Sequence, residues 1–140
     1  MTPFAFVVHV PIHYSAKGLP TAIVQSALSK LDPEQLTSFH NLSYIEPPGG
    51  FDPEEELTPQ VALAIFQTNA VAAGEAVGLF PRMARLNHGC AGAFSAVYTW
   101  RDRESVVVVH AIKPIKKGDV RVTVFCVIAM LKMIEYCRRF

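Results

Sequence analysis

The segment at residues 78–90 places a polar Asn-His pair inside a run that is otherwise apolar and basic. Asn87 and His88 follow two arginines spaced among apolar residues, and a glycine and Cys90 come after them. This pair is the strongest candidate for a functional site in the sequence. Any fold assigned to the chain must therefore account for its position.

Composition limits the class of protein before any motif is considered. The chain has 140 residues, of which 51% are hydrophobic and 18% charged, so it can bury one core and is too apolar for a disordered segment. Thirteen basic and twelve acidic side chains give a net charge of +1. Such a balance offers no long-range attraction to nucleic acid or to an anionic membrane surface. We predict a single domain that binds neither nucleic acid nor a membrane.

The cysteines and the apolar segments bear on compartment. The three cysteines, at positions 90, 126 and 137, have no paired spacing, which favours a reducing compartment and predicts neither disulfides nor a zinc site. Residues 1–10 lack the features of a signal peptide and are predicted to form a buried strand. The apolar stretch 122–134 is shorter than the roughly 20 residues needed to cross a bilayer and contains Lys132. These features predict an intracellular protein, nuclear or cytoplasmic, that does not span a membrane.

Two helices are predicted early in the chain. Apolar residues recur at helical spacing over residues 21–31. Asp32 then has the features of an N-cap, with Pro33 at the first helical position and Gln35 completing a capping box. The buried stripe of this second helix is predicted to comprise Leu36, Phe39, His40 and Leu42.

A third helix is predicted after an exposed loop. Residues 47–56 combine prolines and glycines with three consecutive glutamates, as is typical of a solvated loop. Thr58 and Pro59 repeat the pattern of a cap followed by a proline. Gly74 and Gly78 then predict a loop or irregular strand. The inward face of the third helix is predicted to comprise Val61, Ala62, Ile65, Phe66 and Asn69.

Strands dominate the second half of the sequence. Residues 94–100 and 106–112 are rich in β-branched and aromatic side chains, and the polar residues 101–105 lie between them, so we predict a β-hairpin. A turn at residues 113–119 separates this hairpin from another β-branched run at 120–125.

The signature around the Asn-His pair resembles that of the SET domain, the fold of many protein lysine methyltransferases. Asn87, His88 and Cys90 match the family's core motif, and the resemblance extends in the family's order over residues 58–125. It implies an α+β fold of short strands and hairpins with a knot-like core, preceded by a helical segment. The corresponding division is an N-terminal helical segment at 1–57, the SET-like core at 58–125 and a divergent C-terminal helix or tail at 126–140.

The resemblance also implies roles for individual residues. By family analogy, the Asn87 side chain holds the methionine end of S-adenosylmethionine and the His88 backbone pairs with the adenine. Arg85 and Leu86 line the same site. The acceptor would be a lysine of a protein substrate. Counting from the glycine turn at residue 118, the family's catalytic tyrosine falls on Phe125, which retains the ring and lacks the hydroxyl.

Three departures from the family pattern support an alternative function. Residues 91–94 replace the family's Pro-Asn, Phe125 replaces the tyrosine, and no Gly-x-Gly occurs in residues 1–20. The alternative is a catalytically inactive SET domain that acts as a protein-interaction module.

Several residues have a second interpretation. Tyr98 and Trp100 share a predicted strand face, so they can line a substrate lysine channel or belong to the core. Tyr136 is a late tyrosine that could supply the missing hydroxyl. A thiol nucleophile at Cys90 with His88 as its base is a less favoured enzyme class, because no oxyanion-hole sequence accompanies it. His110 is interpreted as a core or edge histidine.

Overall fold

The computed structural model describes residues 6–8, 20–88, 94–119 and 122–123. Within these ranges the chain forms an α+β fold, which confirms the predicted class at that level. The helices are α1 (Pro20–Leu28), α2 (Pro33–His40) and α3 (Leu57–Asn69). The strands are β1 (Phe6–Val8), β2 (Ala70–Ala73), β3 (Ala76–Leu79), β4 (Asn87–His88), β5 (Ala96–Arg101), β6 (Val106–Ala111) and β7 (Val122–Thr123).

Local capping fixes the start of α2 as the sequence predicts. The Asp32 side chain accepts a hydrogen bond from the Gln35 N–H at 2.8 Å, and the Gln35 side chain accepts one from the Asp32 N–H at 3.1 Å. Phe39 is buried, with Leu36 and Leu42 packed beside it. The prediction that His40 lies in the buried stripe is wrong. Its ring is exposed and packs edge-on against Phe39 from outside, because position 40 is rotated away from the core.

The start of α3 differs from the sequence prediction. The helix begins at Leu57, and Glu56 occupies the N-cap without a side-chain hydrogen bond, so Thr58 is not the cap. Pro59 is tolerated inside the first turn because N–H groups there have no partner within the helix. The Gln60 side chain instead binds the preceding loop, accepting from the Asp52 N–H at 2.6 Å and donating to the Asp52 carbonyl at 2.8 Å.

The three helices share one hydrophobic core with the sheet beside them. Ile65 and Leu79 are almost completely buried in it, and Leu79 lies on β3. The cluster therefore includes residues on both sides of position 57, where the sequence analysis divides the chain. Its buried members are Val24, Leu28, Phe39, Ala62, Ile65, Phe66 and Leu79.

The first sheet has three antiparallel strands in the order β1-β3-β2. Strands β2 and β3 form a hairpin that turns at Gly74 and Glu75, with Gly74 at a φ of +65°. The predicted loop or irregular strand before Leu79 is a two-residue turn followed by a regularly paired strand. Small alanines give little intrinsic preference for a strand, and burial of alternate side chains against neighbouring elements decides the conformation.

The second sheet has four strands in the order β4-β7-β5-β6. Strands β5 and β6 pair in antiparallel register from Ala96 opposite Ala111 to Arg101 opposite Val106, which confirms the predicted hairpin. A second hydrophobic cluster, whose buried members are Val71, Ala73, Phe80 and Met83, joins this sheet to the first. None of the helices in the described ranges is both long and apolar enough to cross a bilayer.

Candidate functional site

The chain approaches the Asn-His pair through a compact turn. The N–H groups of Met83 and Ala84 both donate to the Phe80 carbonyl, at 2.8 and 2.9 Å, and the Leu86 N–H donates to the Met83 carbonyl at 2.9 Å. Phe80 and Met83 are buried, whereas Arg85 is exposed. The apolar residues thus anchor this turn and leave the arginine on the surface immediately before β4.

Strand β4 is held in place by a segment much later in the chain. It pairs in parallel with β7, Asn87 opposite Val122 and His88 opposite Thr123. Strand β7 also pairs in parallel with β5 through Ala96 and Thr123, so it lies between two strands that precede it in sequence. This insertion joins the Asn-His segment to the residues that follow the turn at Gly118.

The location of β4 leaves part of its backbone available. Among the described strands β4 is at one edge of the sheet, so one row of its backbone polar groups faces away from β7. The Asn87 side chain is exposed and has no hydrogen-bond partner among the described residues. Leu86 is partly buried against the second cluster. The free edge of β4 therefore carries an amide side chain and backbone hydrogen-bond donors and acceptors, next to the apolar side chain of Leu86.

The two aromatic candidates belong to the contact between the sheets. Tyr98 and Trp100 are partly buried and pack against the second cluster, with the Phe80 and Trp100 ring centroids 6.0 Å apart. The Trp100 indole N–H donates to the Asp102 carboxylate at 2.6 Å. A role for either ring beside a substrate lysine remains a prediction, and their packing matches the core interpretation.

Several residues with predicted functional roles lie outside the part of the chain that the structure describes. Phe125, Tyr136 and Cys90 lie outside the described residues, as do residues 91–93. The strand β7 ends two positions before Phe125, so the backbone of the Asn-His segment is paired close in sequence to the predicted tyrosine position. His110 lies exposed on β6, in agreement with an edge histidine.

The lysines that follow β6 surround a turn. Lys113, Lys116 and Lys117 are exposed, and the Lys116 N–H donates to the Asp119 carboxylate at 2.7 Å, which closes that turn. Among the described residues, no group of three or more His, Cys, Asp or Glu side chains is arranged to hold a metal ion.

Polar residues at the end of α3 have a structural role that the sequence analysis missed. The Thr68 hydroxyl accepts from the Ile45 N–H at 3.0 Å, and the Asn69 amide donates to the Ser43 carbonyl at 2.7 Å. Both side chains also bond one turn back within α3, to the Ala64 and Ile65 carbonyls. The sequence signal was the Thr-Asn pair at a helix end, where such side chains commonly bond nearby backbone.

Comparison with known proteins adds no assignment. No protein-family model matches the chain, and neither the curated proteins nor the solved structures contain a significant match.

Proposed function

We propose that this chain is a SET-domain protein of the lysine methyltransferase class, with S-adenosylmethionine as methyl donor and a protein lysine as acceptor. The observation that carries the proposal is the parallel pairing of Asn87 and His88 with β7. In the SET fold the Asn-His segment lies where the chain threads beneath another loop. The late strand β7 lies between β4 and β5, which brings a distant part of the chain beside the Asn-His segment and supports the proposal.

The surroundings of β4 fit the donor chemically. Adenine offers one donor and adjacent acceptors along its edge, and an exposed strand edge supplies complementary backbone groups. The Asn87 side chain can accept from the amino group or donate to the carboxylate of the methionine end. Leu86 supplies apolar contact, and Arg85 places a positive charge where a carboxylate can approach. Arg85, Leu86, Asn87 and the backbone of His88 comprise the proposed donor site.

Methyl transfer requires the protein mainly to position the acceptor lysine and the methyl donor. The lysine ammonium would first lose a proton to solvent. The neutral Nζ would then attack the methyl carbon as the bond from that carbon to sulfur breaks, which gives a methylammonium group and S-adenosylhomocysteine. The donor is already activated by its sulfonium charge, so an in-line approach and a neutral lysine are the main requirements. A free lysine has a pKa of about 10.4, and an apolar surrounding favours its neutral form. Tyr98 and Trp100 are the aromatic residues proposed to contact the lysine stem.

A second candidate function is supported by particular residues. Phe125 has no hydroxyl, residues 91–94 lack the family's Pro-Asn, and residues 1–20 contain no Gly-x-Gly. A protein with these changes can retain the fold while losing catalysis and act as an interaction module. Under both functions we propose an intracellular protein with a protein partner.

Restoring the hydroxyl separates the two functions. We expect Phe125→Tyr to raise methyl transfer from labelled S-adenosylmethionine to mixed histones or lysate proteins by about tenfold or more, because a positioned hydrogen bond stabilises the transition state. Phe51→Tyr, which adds the same hydroxyl in the loop before α3, should leave the rate unchanged. Donor binding without transfer by the Phe125→Tyr variant would contradict the enzyme function and support the interaction module.

A further inference from the structure

The strand β6 lies at the edge of the second sheet opposite β4, among the described strands. The Ile112 N–H donates to the Ser95 carbonyl at 2.9 Å, which makes this pair a hydrogen-bonded one. Antiparallel ladders alternate hydrogen-bonded and non-hydrogen-bonded pairs. In the register of β5 and β6, the residues whose N–H and C=O groups point away from β5 are therefore Val107, Val109 and Ala111.

The side chains of β6 do not block this edge against pairing with another strand. Residues 106–112 include four consecutive valines and contain no lysine, glutamate, aspartate or proline. Val109 is 42% exposed and Ile112 is 48% exposed. Natural edge strands are usually blocked by charge, proline or a bulge, because their unpaired backbone otherwise recruits another strand. Lys113 and Pro114 come only after β6 has ended.

A second copy of the same strand is the occupant that fits this edge. A two-fold axis at Val109 places Val109 opposite itself and Val107 opposite Ala111, so every outward-facing residue meets an outward-facing residue. The pairing covers all of β6 and the residue after it, with Val106 opposite Ile112. No charged side chain lies within it, so the two identical strands meet without like-charge repulsion.

Charges just beyond the strand complement each other in the same register. Ser105 comes opposite Lys113, which brings the neighbouring Glu104 of one copy within reach of Lys113 of the other. Both residues are on the surface. Within one chain they lie at opposite ends of β6, about 30 Å apart at the rise of an extended strand, so they cannot form this contact intramolecularly.

We infer that β6 mediates a symmetric dimer by antiparallel edge-to-edge pairing with a second copy of this chain. The interface is a continuous eight-stranded sheet across the two-fold axis. This inference does not depend on the proposed methyl transfer, because the dimer interface lies at the sheet edge opposite β4.

Sedimentation over a wide range of protein concentration tests the dimer. The unsubstituted chain should show a reversible monomer–dimer equilibrium, and Val109→Lys should raise its dissociation constant by about 100-fold or more by placing two lysines opposite each other. Thr99→Lys adds the same charge to an exposed position on the inner strand β5 and should leave the constant unchanged. A chain that is monomeric throughout, or equal dissociation constants for Val109→Lys and the unsubstituted chain, would overturn the inference.

A charge-swap cycle tests the register and the identity of the partner. Glu104→Lys and Lys113→Glu should each weaken the dimer by about tenfold, whereas the double variant should recover most of the loss. Since the two positions are too far apart within one chain, recovery can arise only between copies. Circular dichroism should show that every variant retains the fold. A double variant as weak as the single ones would refute the pairing.

Discussion

Leu79→Ala is expected to lower the free energy of unfolding by about 3 to 5 kcal/mol, the largest effect of any substitution considered. Leu79 has no exposed surface and lies on β3, where it is opposite both Phe6 of β1 and Ala70 of β2. Its side chain also belongs to the cluster formed by the three helices. Truncation removes the apolar transfer energy and leaves a cavity where helices and sheet meet.

Chemical denaturation followed by circular dichroism measures this effect. Leu57→Ala is the matched control, because it removes the same atoms from a residue that is 58% exposed at the first position of α3. Its free energy of unfolding should change by less than about 0.5 kcal/mol. Similar values for the two variants would show that the helices and the first sheet do not share a core.

Gly74→Ala is expected to destabilise the protein by about 2 to 3 kcal/mol. Gly74 has a φ of +65°, and a methyl group there would lie 2.8 Å from the Asp102 carboxylate and 3.1 Å from the Trp100 indole nitrogen. The left-handed conformation costs a residue with a side chain about 1 to 2 kcal/mol. The remainder comes from displacing the hydrogen bond between Trp100 and Asp102.

Tryptophan fluorescence reports this change directly, because Trp100 is the sole tryptophan in the sequence. The emission of Gly74→Ala should shift to the red as the β2–β3 turn moves away from the indole. Gly50→Ala provides the control, since Gly50 has a φ of +80° with no atom within 4 Å of the added methyl group. That variant should be destabilised through its backbone alone and keep the native emission. An unshifted spectrum in Gly74→Ala would contradict the close contact between the two sheets.

Features determined by neighbouring residues were predictable. The capping box at Asp32 and Gln35 depends on residues three positions apart, and the β5–β6 hairpin depends on two β-branched runs joined by a polar turn. The β2–β3 hairpin was not predictable, because its alanines carry a weak strand preference and their burial depends on elements distant in sequence. The start of α3 at Leu57 was not predictable from a cap pattern, because its N-cap, Glu56, makes no side-chain hydrogen bond to the helix.

In the candidate site, too, the features set by local sequence were predictable and those set by distant segments were not. The motif identified Asn87 and His88 from local sequence, and they lie on β4, which is an edge strand among those that the structure describes, with Asn87 exposed. Their pairing with Val122 and Thr123 joins segments far apart in the chain, so periodicity and turn residues did not indicate it. The second cluster around Trp100 was likewise hidden, because it forms only when two separate sheets meet.

Calorimetric titration of the purified chain with S-adenosylmethionine tests the proposed donor site. We expect saturable binding at one site per chain, weakened in Asn87→Ala by about 1 to 3 kcal/mol through loss of a polar contact. Asn41→Ala removes an exposed asparagine at the end of α2 and should bind as tightly as the unsubstituted chain. Absence of binding heat in the unsubstituted chain, or equal affinity in Asn87→Ala, would contradict the proposal that β4 binds the donor.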